Sequence, residues 1–136
     1  MVESTELMKA DDRRRRNRPS APHTRRGGEN MRQPIHEHHY ADEDGNPSGG
    51  QTSGMGLGIS WQDGPLGRGP ERKEPNGAFV ETVIAAALGR LRFYQDGKFA
   101  CIANENAITL LEAALDRLES RTRDREVRQV EGTHVA

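Results

Sequence analysis

Apolar positions change character along the chain near residue 57. Residues 1–57 hold 12 of them and residues 58–136 hold 32. In the first stretch they follow neither the helical period of about 3.6 residues nor the strand period of 2. Gly, Pro, Ser and Asn accumulate after Asp44 in DGNPSGGQTSGMGLG. Such a segment buries too little surface to offset its ordering entropy, so the pattern predicts a disordered arm over residues 1–57 and one domain over residues 58–136.

The second half has a clearer grammar. Pro65, Pro70, Pro75, Gly64, Gly67 and Gly69 predict an irregular loop across residues 59–76 with room for short β pieces. Trp61 is expected to anchor that loop against helices. Asn76 can cap a helix that starts near Gly77 or Ala78 and runs to about Gln95. Within it Val80, Ile84, Ala87, Leu91 and Tyr94 recur at spacings of 4, 3, 4 and 3, and Phe79 and Val83 widen the stripe. Asp96 and Gly97 supply a turn. A second helix follows from between Lys98 and Asn104 to about Arg121, with Ile108, Leu111, Leu115 and Leu118 in register. The predicted fold is therefore mainly α: an antiparallel helical hairpin behind an irregular loop.

The second helix carries a surplus. Ala107, Ile108, Leu110, Leu111, Ala113, Ala114, Leu115 and Leu118 together span roughly 220° of its circumference, more than one partner helix covers. A hairpin of about 45 residues is also too small for a self-sufficient core. Both points predict a symmetric homo-oligomer with a shared multi-helix core.

Charge narrows the function. The 20 Lys and Arg against 21 Asp and Glu leave a net charge of −1, which argues against nucleic-acid binding by bulk positive charge. The cluster Arg13, Arg14, Arg15, Arg16 and Arg18 follows Asp11 and Asp12, lacks interleaved aromatics, and promises only weak, salt-sensitive attraction. His36, His38 and His39 around Glu37 would take up stray divalent metal rather than form a built site. The single cysteine, Cys101, excludes an intrachain disulfide, and the opening MVESTELMKADDRRRR has no apolar stretch of the kind a secretion signal needs. The longest apolar run, residues 83–88, has six residues, where a membrane span takes about 20. The expectation is a cytoplasmic protein without a membrane segment.

Candidate chemistry gathers at the C-terminal end. Arg121, Arg125 and Arg128 are four and three residues apart, so a continuing helix would put them on one face. Their planar guanidinium groups suit paired phosphate oxygens, with the Thr122 hydroxyl beside them. The plainer alternative is a solvated helix end, in which Glu119, Asp124 and Glu126 neutralise the arginines. Catalysis has little support. Cys101 has no nearby histidine, His134 being the nearest downstream, and the pairs Glu112/Asp116 and Asp124/Glu126 are ordinary helix-face carboxylates. No glycine-rich phosphate loop is present. The residues point to a protein that is not an enzyme and carries no cofactor.

Three stretches carry a resemblance: WQDGPLGRGPERKEPNGAFVE (residues 61–81), RFYQDGKFACIANENAI (residues 92–108) and LESRTRDREVRQVEGTH (residues 118–134). They resemble a phage hairpin family that includes the Thoeris anti-defence proteins and related anti-CBASS proteins, which bind nucleotide messengers of bacterial immunity and hold them uncleaved. The likeness spans about residues 59–135 and is most specific from Arg121 to His134. It implies dimers and higher oligomers with pockets where protomers meet. The implied ligands are cyclic ADP-ribose isomers in one branch and cyclic di- or trinucleotides in the other. The extended stretch before the hairpin is closer to the Thoeris branch.

By the same resemblance Arg121 and Arg125 would hold phosphates with Thr122 beside them, and Arg128 shares their face. Asn104 would read a base or ribose edge. Phe93 or Tyr94 would stack on adenine, unless one of them belongs to the core. Arg72, with Glu71 or Glu74, would close the pocket from the loop. The family pattern has charged residues where this chain has Ile102 and Ala103, and a glycine, able to take a positive φ, where Gln129 stands. The implied function is non-catalytic sequestration of an immune messenger. A second reading is an oligomeric scaffold whose basic arm recruits nucleic acid or a host factor. A third is a nuclease or cyclase regulator that grips an RNA end through the same arginines.

Overall fold

The structure is a computed structural model that describes residues 32–136. The arginine cluster at residues 13–18, and the rest of residues 1–31, lie outside the described residues. The described residues form two units, residues 32–64 with Glu74–Gly77, and Pro65–Lys73 with Ala78–Ala136.

The first unit holds a three-stranded antiparallel sheet of order β1-β2-β3, made of β1 (His36–Ala41), β2 (Pro47–Gly54) and β3 (Leu57–Asp63). The fold is thus α+β, and the expectation of a mainly α hairpin behind an arm disordered to residue 57 is corrected. The strands escaped notice because two of them read HEHHYA and PSGGQTSG, without apolar alternation. Only Leu57, Ile59 and Trp61 in β3 keep the strand period, and three positions were too few to outweigh the glycines and prolines that follow.

Local chemistry explains the sheet. Asp42 closes the first hairpin: its Oδ1 accepts from the backbone N–H groups of Asp44 and Asn46, both at 2.9 Å, and its Oδ2 from Asn46 Nδ2 at 3.1 Å. Gly56, at φ +71°, makes the second turn. A Cβ at Gly50 would collide with the His38 carbonyl, so the glycine lets two strands approach. The register aligns Glu37, Thr52 and Ile59 in one row and His39, Gly50 and Trp61 two rows on, on the same face. Trp61 donates its indole N–H to Thr52 Oγ1 at 2.9 Å. Its polar anchor is therefore a sheet neighbour, and Thr52 is buried at 5% exposure.

Asn76 does not cap a helix. Its Oδ1 accepts from the backbone N–H of Asp63 at 2.8 Å and its Nδ2 donates to the Asp63 carbonyl at 2.9 Å. Gln62 Oε1 accepts from the backbone of Asn76 at 2.9 Å and Gly77 at 3.2 Å. A Cβ at Gly77 would lie 2.6 Å from the Trp61 carbonyl. The segment Glu74–Gly77 is thus tied to β3, and the loop Pro65–Lys73 leaves and returns between pinned ends, in the manner of an Ω-loop.

The second unit holds α1 (Val80–Gln95) and α2 (Ile102–Val127). Helix α1 starts later than predicted, with Phe79 at its N-cap and no side-chain capping bond. Gln95 braces the turn, since its amide accepts from the Cys101 N–H at 3.1 Å and donates to the Cys101 carbonyl at 3.0 Å. Arg92 meets Glu112 across the hairpin at 2.6 Å. Ile84, Leu91, Ile108, Leu111, Leu115 and Leu118 are half-buried, as their periodicity predicted, whereas Val80, Ala87 and Tyr94 of the same predicted stripe are exposed, and Leu88, outside that stripe, is buried. Even so, Leu88 is the only buried apolar residue among those described, while Leu110 and Ile102 are 71% and 74% exposed. Of the eight positions of the surplus face inferred for the second helix, Leu110 and Ala113 are exposed and the other six are half-buried.

Candidate functional site

Helix α2 extends to Val127, six residues past the predicted stop at Arg121. It therefore carries Arg121, Thr122 and Arg125 on regular helical backbone, with Arg128 at the C-cap. Its end is a Schellman turn: the Gln129 N–H donates to the Glu126 carbonyl and the Val130 N–H to the Arg125 carbonyl, both at 2.9 Å. Gln129 takes φ +58°, the left-handed conformation that glycine adopts most readily.

Side-chain bonds separate the arginines. Arg125 is wrapped by the tail that follows: its guanidinium donates to the carbonyls of Val135 at 2.6 Å, Val130 at 3.0 Å and Thr133 at 3.1 Å. Arg128 pairs with Asp124 at 3.1 Å and also donates to the Ala136 carbonyl. Arg121 has no hydrogen-bond or ion-pair partner among the described residues, and Thr122 donates to the Leu118 carbonyl at 3.2 Å. The solvated-end alternative thus describes Arg128, while Arg121 has its donors available for an anion and Arg125 has part of its set committed.

The loop Pro65–Lys73 packs against that same tail. Arg68 grips both oxygens of Glu126 at 3.1 and 3.2 Å and donates to the Glu131 carbonyl at 2.9 Å. Arg72 pairs with Glu131 at 2.8 Å. The Gly67 N–H donates to the Gly132 carbonyl at 2.9 Å, and a Cβ on Gly132 would strike the Gly67 carbonyl. The hydrogen bond and charge of Glu131 hold the Arg72 guanidinium above its already high range, so this pair stays ionised on the arginine side at any working pH. Arg68 and Glu131 were missed in the sequence because 58 and more residues separate the partners and no periodicity links them.

The other predicted residues lie at the hairpin's far end. Asn104 donates to the Phe99 carbonyl at 3.3 Å. Phe93 is 64% exposed, so it is no part of a core within the protomer, and Tyr94 is 37% exposed. Their ring centroids are 6.0 Å apart at an interplanar angle of 60°. Arg90, also missed, lies over both rings at 5.0 and 4.9 Å. The 17 residues from Asn104 to Arg121 span about 26 Å of helix at about 1.5 Å per residue. The rings and the amide therefore sit at one end of the hairpin, and the arginines at the other.

Among the described residues no group of three or more His, Cys, Asp or Glu could hold a metal. His36 and His38 share one face of β1, and His39 lies on the other with Glu37 Oε1 3.9 Å away. No helix there is long and apolar enough to cross a membrane.

These features define a small α+β protein whose helical unit offers guanidinium groups and open aromatic rings, groups that suit a ligand with anionic oxygens and flat faces. No protein-family model matches the chain. Over 76 residues, 56% of its length, it is 49% identical to Thoeris anti-defense 1 of Bacillus phage SBSphiJ7. That identity supports the Thoeris anti-defence family. The matched stretch is 51% of the relative, so the chain spans about half the length of the curated relative it matches. The CBASS half of the resemblance has no such support.

Proposed function

We propose that the chain is a non-catalytic, homo-oligomeric binder of a nucleotide messenger, a cyclic ADP-ribose isomer, and that it blocks anti-phage signalling in the infected host cell. The observation that carries this reading is the division of the site. Asn104, at the same end of the hairpin as Phe93 and Tyr94, stands about 26 Å along the helix from Arg121 and about 32 Å from Arg125, too far for a dinucleotide-sized ligand to bridge within one protomer.

A second copy supplies the missing half. At about 100° per residue, Ala103, Ala107, Leu110, Ala114, Arg117, Arg121, Arg125 and Arg128 share a wedge of roughly 80° on α2, apolar toward its start and basic toward its end. Two such wedges paired antiparallel bring the arginines of one protomer beside Ala107 and Asn104 of its partner. The single buried leucine and the exposed Leu110 make pairing favourable.

The energetics suit sequestration. Nanomolar capture needs about −12 kcal/mol, and a ligand of roughly 35–45 heavy atoms at about −0.3 kcal/mol each supplies it. The test is to load purified protein with cyclic ADP-ribose isomers, and in parallel with cyclic di- and trinucleotides, then heat and recover the ligand. Intact cyclic ADP-ribose isomer is expected. A chemically altered product would make the protein an enzyme, and capture of cyclic oligonucleotides alone would move it to another ligand class. Arg121→Ala should weaken capture while leaving the oligomer intact.

A further inference from the structure

We propose that Arg90 is a ligand-binding residue, the phosphate-holding group of a base-plus-phosphate subsite that it forms with Phe93 and Tyr94. This rests on the nucleotide-binding reading above and adds to it a residue that neither the resemblance nor the spacing of the C-terminal arginines brings in.

The argument begins with the ring geometry. Two rings 6.0 Å apart and inclined at 60° cannot sandwich a base between them, because a sandwich needs near-parallel planes. A base can stack only on an outer face, and Phe93, at 64% exposure, has one open to solvent. The inner side is taken by Arg90, whose guanidinium carbon lies 5.0 Å from the Phe93 centroid and 4.9 Å from that of Tyr94. Arg90 Nε also donates to the Tyr94 hydroxyl at 3.1 Å, which fixes the plane of the group.

Charge accounting then separates Arg90 from its neighbours. Arg92, two residues on, is neutralised by Glu112 at 2.6 Å, and Arg68, Arg72, Arg123 and Arg128 each have a carboxylate. Arg90 has rings and a phenol around it and no carboxylate among the described residues. Aromatic faces hold a cation in place without cancelling its charge. The Nη donors therefore stay available beside a stacking surface, as recognition of a base with its attached phosphate requires.

The test uses the full chain with adenosine, ADP-ribose and cyclic ADP-ribose as probes, titrated by calorimetry against wild type, Arg90→Ala and Arg90→Lys. The Tyr94 and Phe93 ring signals are followed by NMR. The expected result is that Arg90→Ala weakens the phosphorylated probes tenfold or more and leaves adenosine affinity within twofold, with Arg90→Lys recovering part of the loss. Equal weakening of adenosine and the phosphorylated probes would overturn the assignment, since it would mean that Arg90 only sets the posture of the rings. So would wild-type affinity of Arg90→Ala for the phosphorylated probes, and in that case the sequestration reading would stand. If wild type bound no nucleotide, the sequestration reading would fall and this assignment with it.

Discussion

Replacing Gln129 with glycine should stabilise the helical unit, and the size of the gain follows from the backbone. Gln129 is the first residue past the C-cap of α2, at φ +58°, and both carbonyl acceptors of the Schellman turn depend on that conformation. A residue with a Cβ pays about 1–2 kcal/mol in the left-handed region, whereas glycine pays almost none. Against this, glycine gives up about 0.5–1 kcal/mol more chain entropy on folding. The net gain is about 0.5–1 kcal/mol. At about 4–8 °C per kcal/mol for a domain of this size, Gln129→Gly should raise Tm by roughly 2–8 °C. Helical circular dichroism during a thermal scan reads it, at fixed protomer concentration because assembly adds to apparent stability. Gln129→Ala, which keeps the Cβ, serves as the control and should gain nothing. A glycine variant no more stable than the alanine variant would show that the turn does not hold this backbone in solution.

Other substitutions probe the surface and the tail. Leu110→Ala removes an exposed side chain, and pairing would bury about 1–2 kcal/mol of it per copy. A two-fold interface should therefore weaken roughly 30- to 700-fold, measured by sedimentation across a dilution series; an unchanged association constant would exclude this face. Arg125→Gln should loosen residues 130–135, since three carbonyls lose their donor, and hydrogen exchange at Thr133 and Val135 should accelerate while the middle of α2 stays protected. Protection unchanged at both positions would mean that the tail is held by Arg68, Arg72 and the Gly67–Gly132 contact alone.

The helices were legible in the sequence and the sheet was not, for a physical reason. Ile84, Leu91, Ile108, Leu111 and Leu115 are all half-buried in the helical unit, because helix packing writes a period into the apolar residues. The sheet is written in glycine and hydrogen-bonding residues: Gly50 under the His38 carbonyl, Asp42 in the turn, Thr52 beneath the Trp61 indole. Such features leave no hydrophobic period. Asn76 shows the same limit, because its amide serves the Asp63 backbone equally well as it would a helix N-terminus, and local sequence cannot tell which backbone comes near. At the candidate site, Arg121 and Arg125 could be named from spacing, but their difference could not. It depends on where the tail folds back, and that depends on Gln129 and on Arg68 reaching Glu126. Arg90, by contrast, was within reach of sequence reasoning, since Phe93 and Tyr94 lie three and four residues further along the same helix.

The division of the site between two copies is tested most directly by complementation. Asn104→Ala and Arg121→Ala protomers, each weakened in binding cyclic ADP-ribose isomer, are mixed, allowed to exchange, and assayed by native mass spectrometry at a ligand concentration that neither parent retains. Restored binding in the mixed species, absent from either parent, is the predicted result. Mixed oligomers that form yet remain as inert as their parents would contradict a pocket built from the amide of one protomer and the guanidinium of the other.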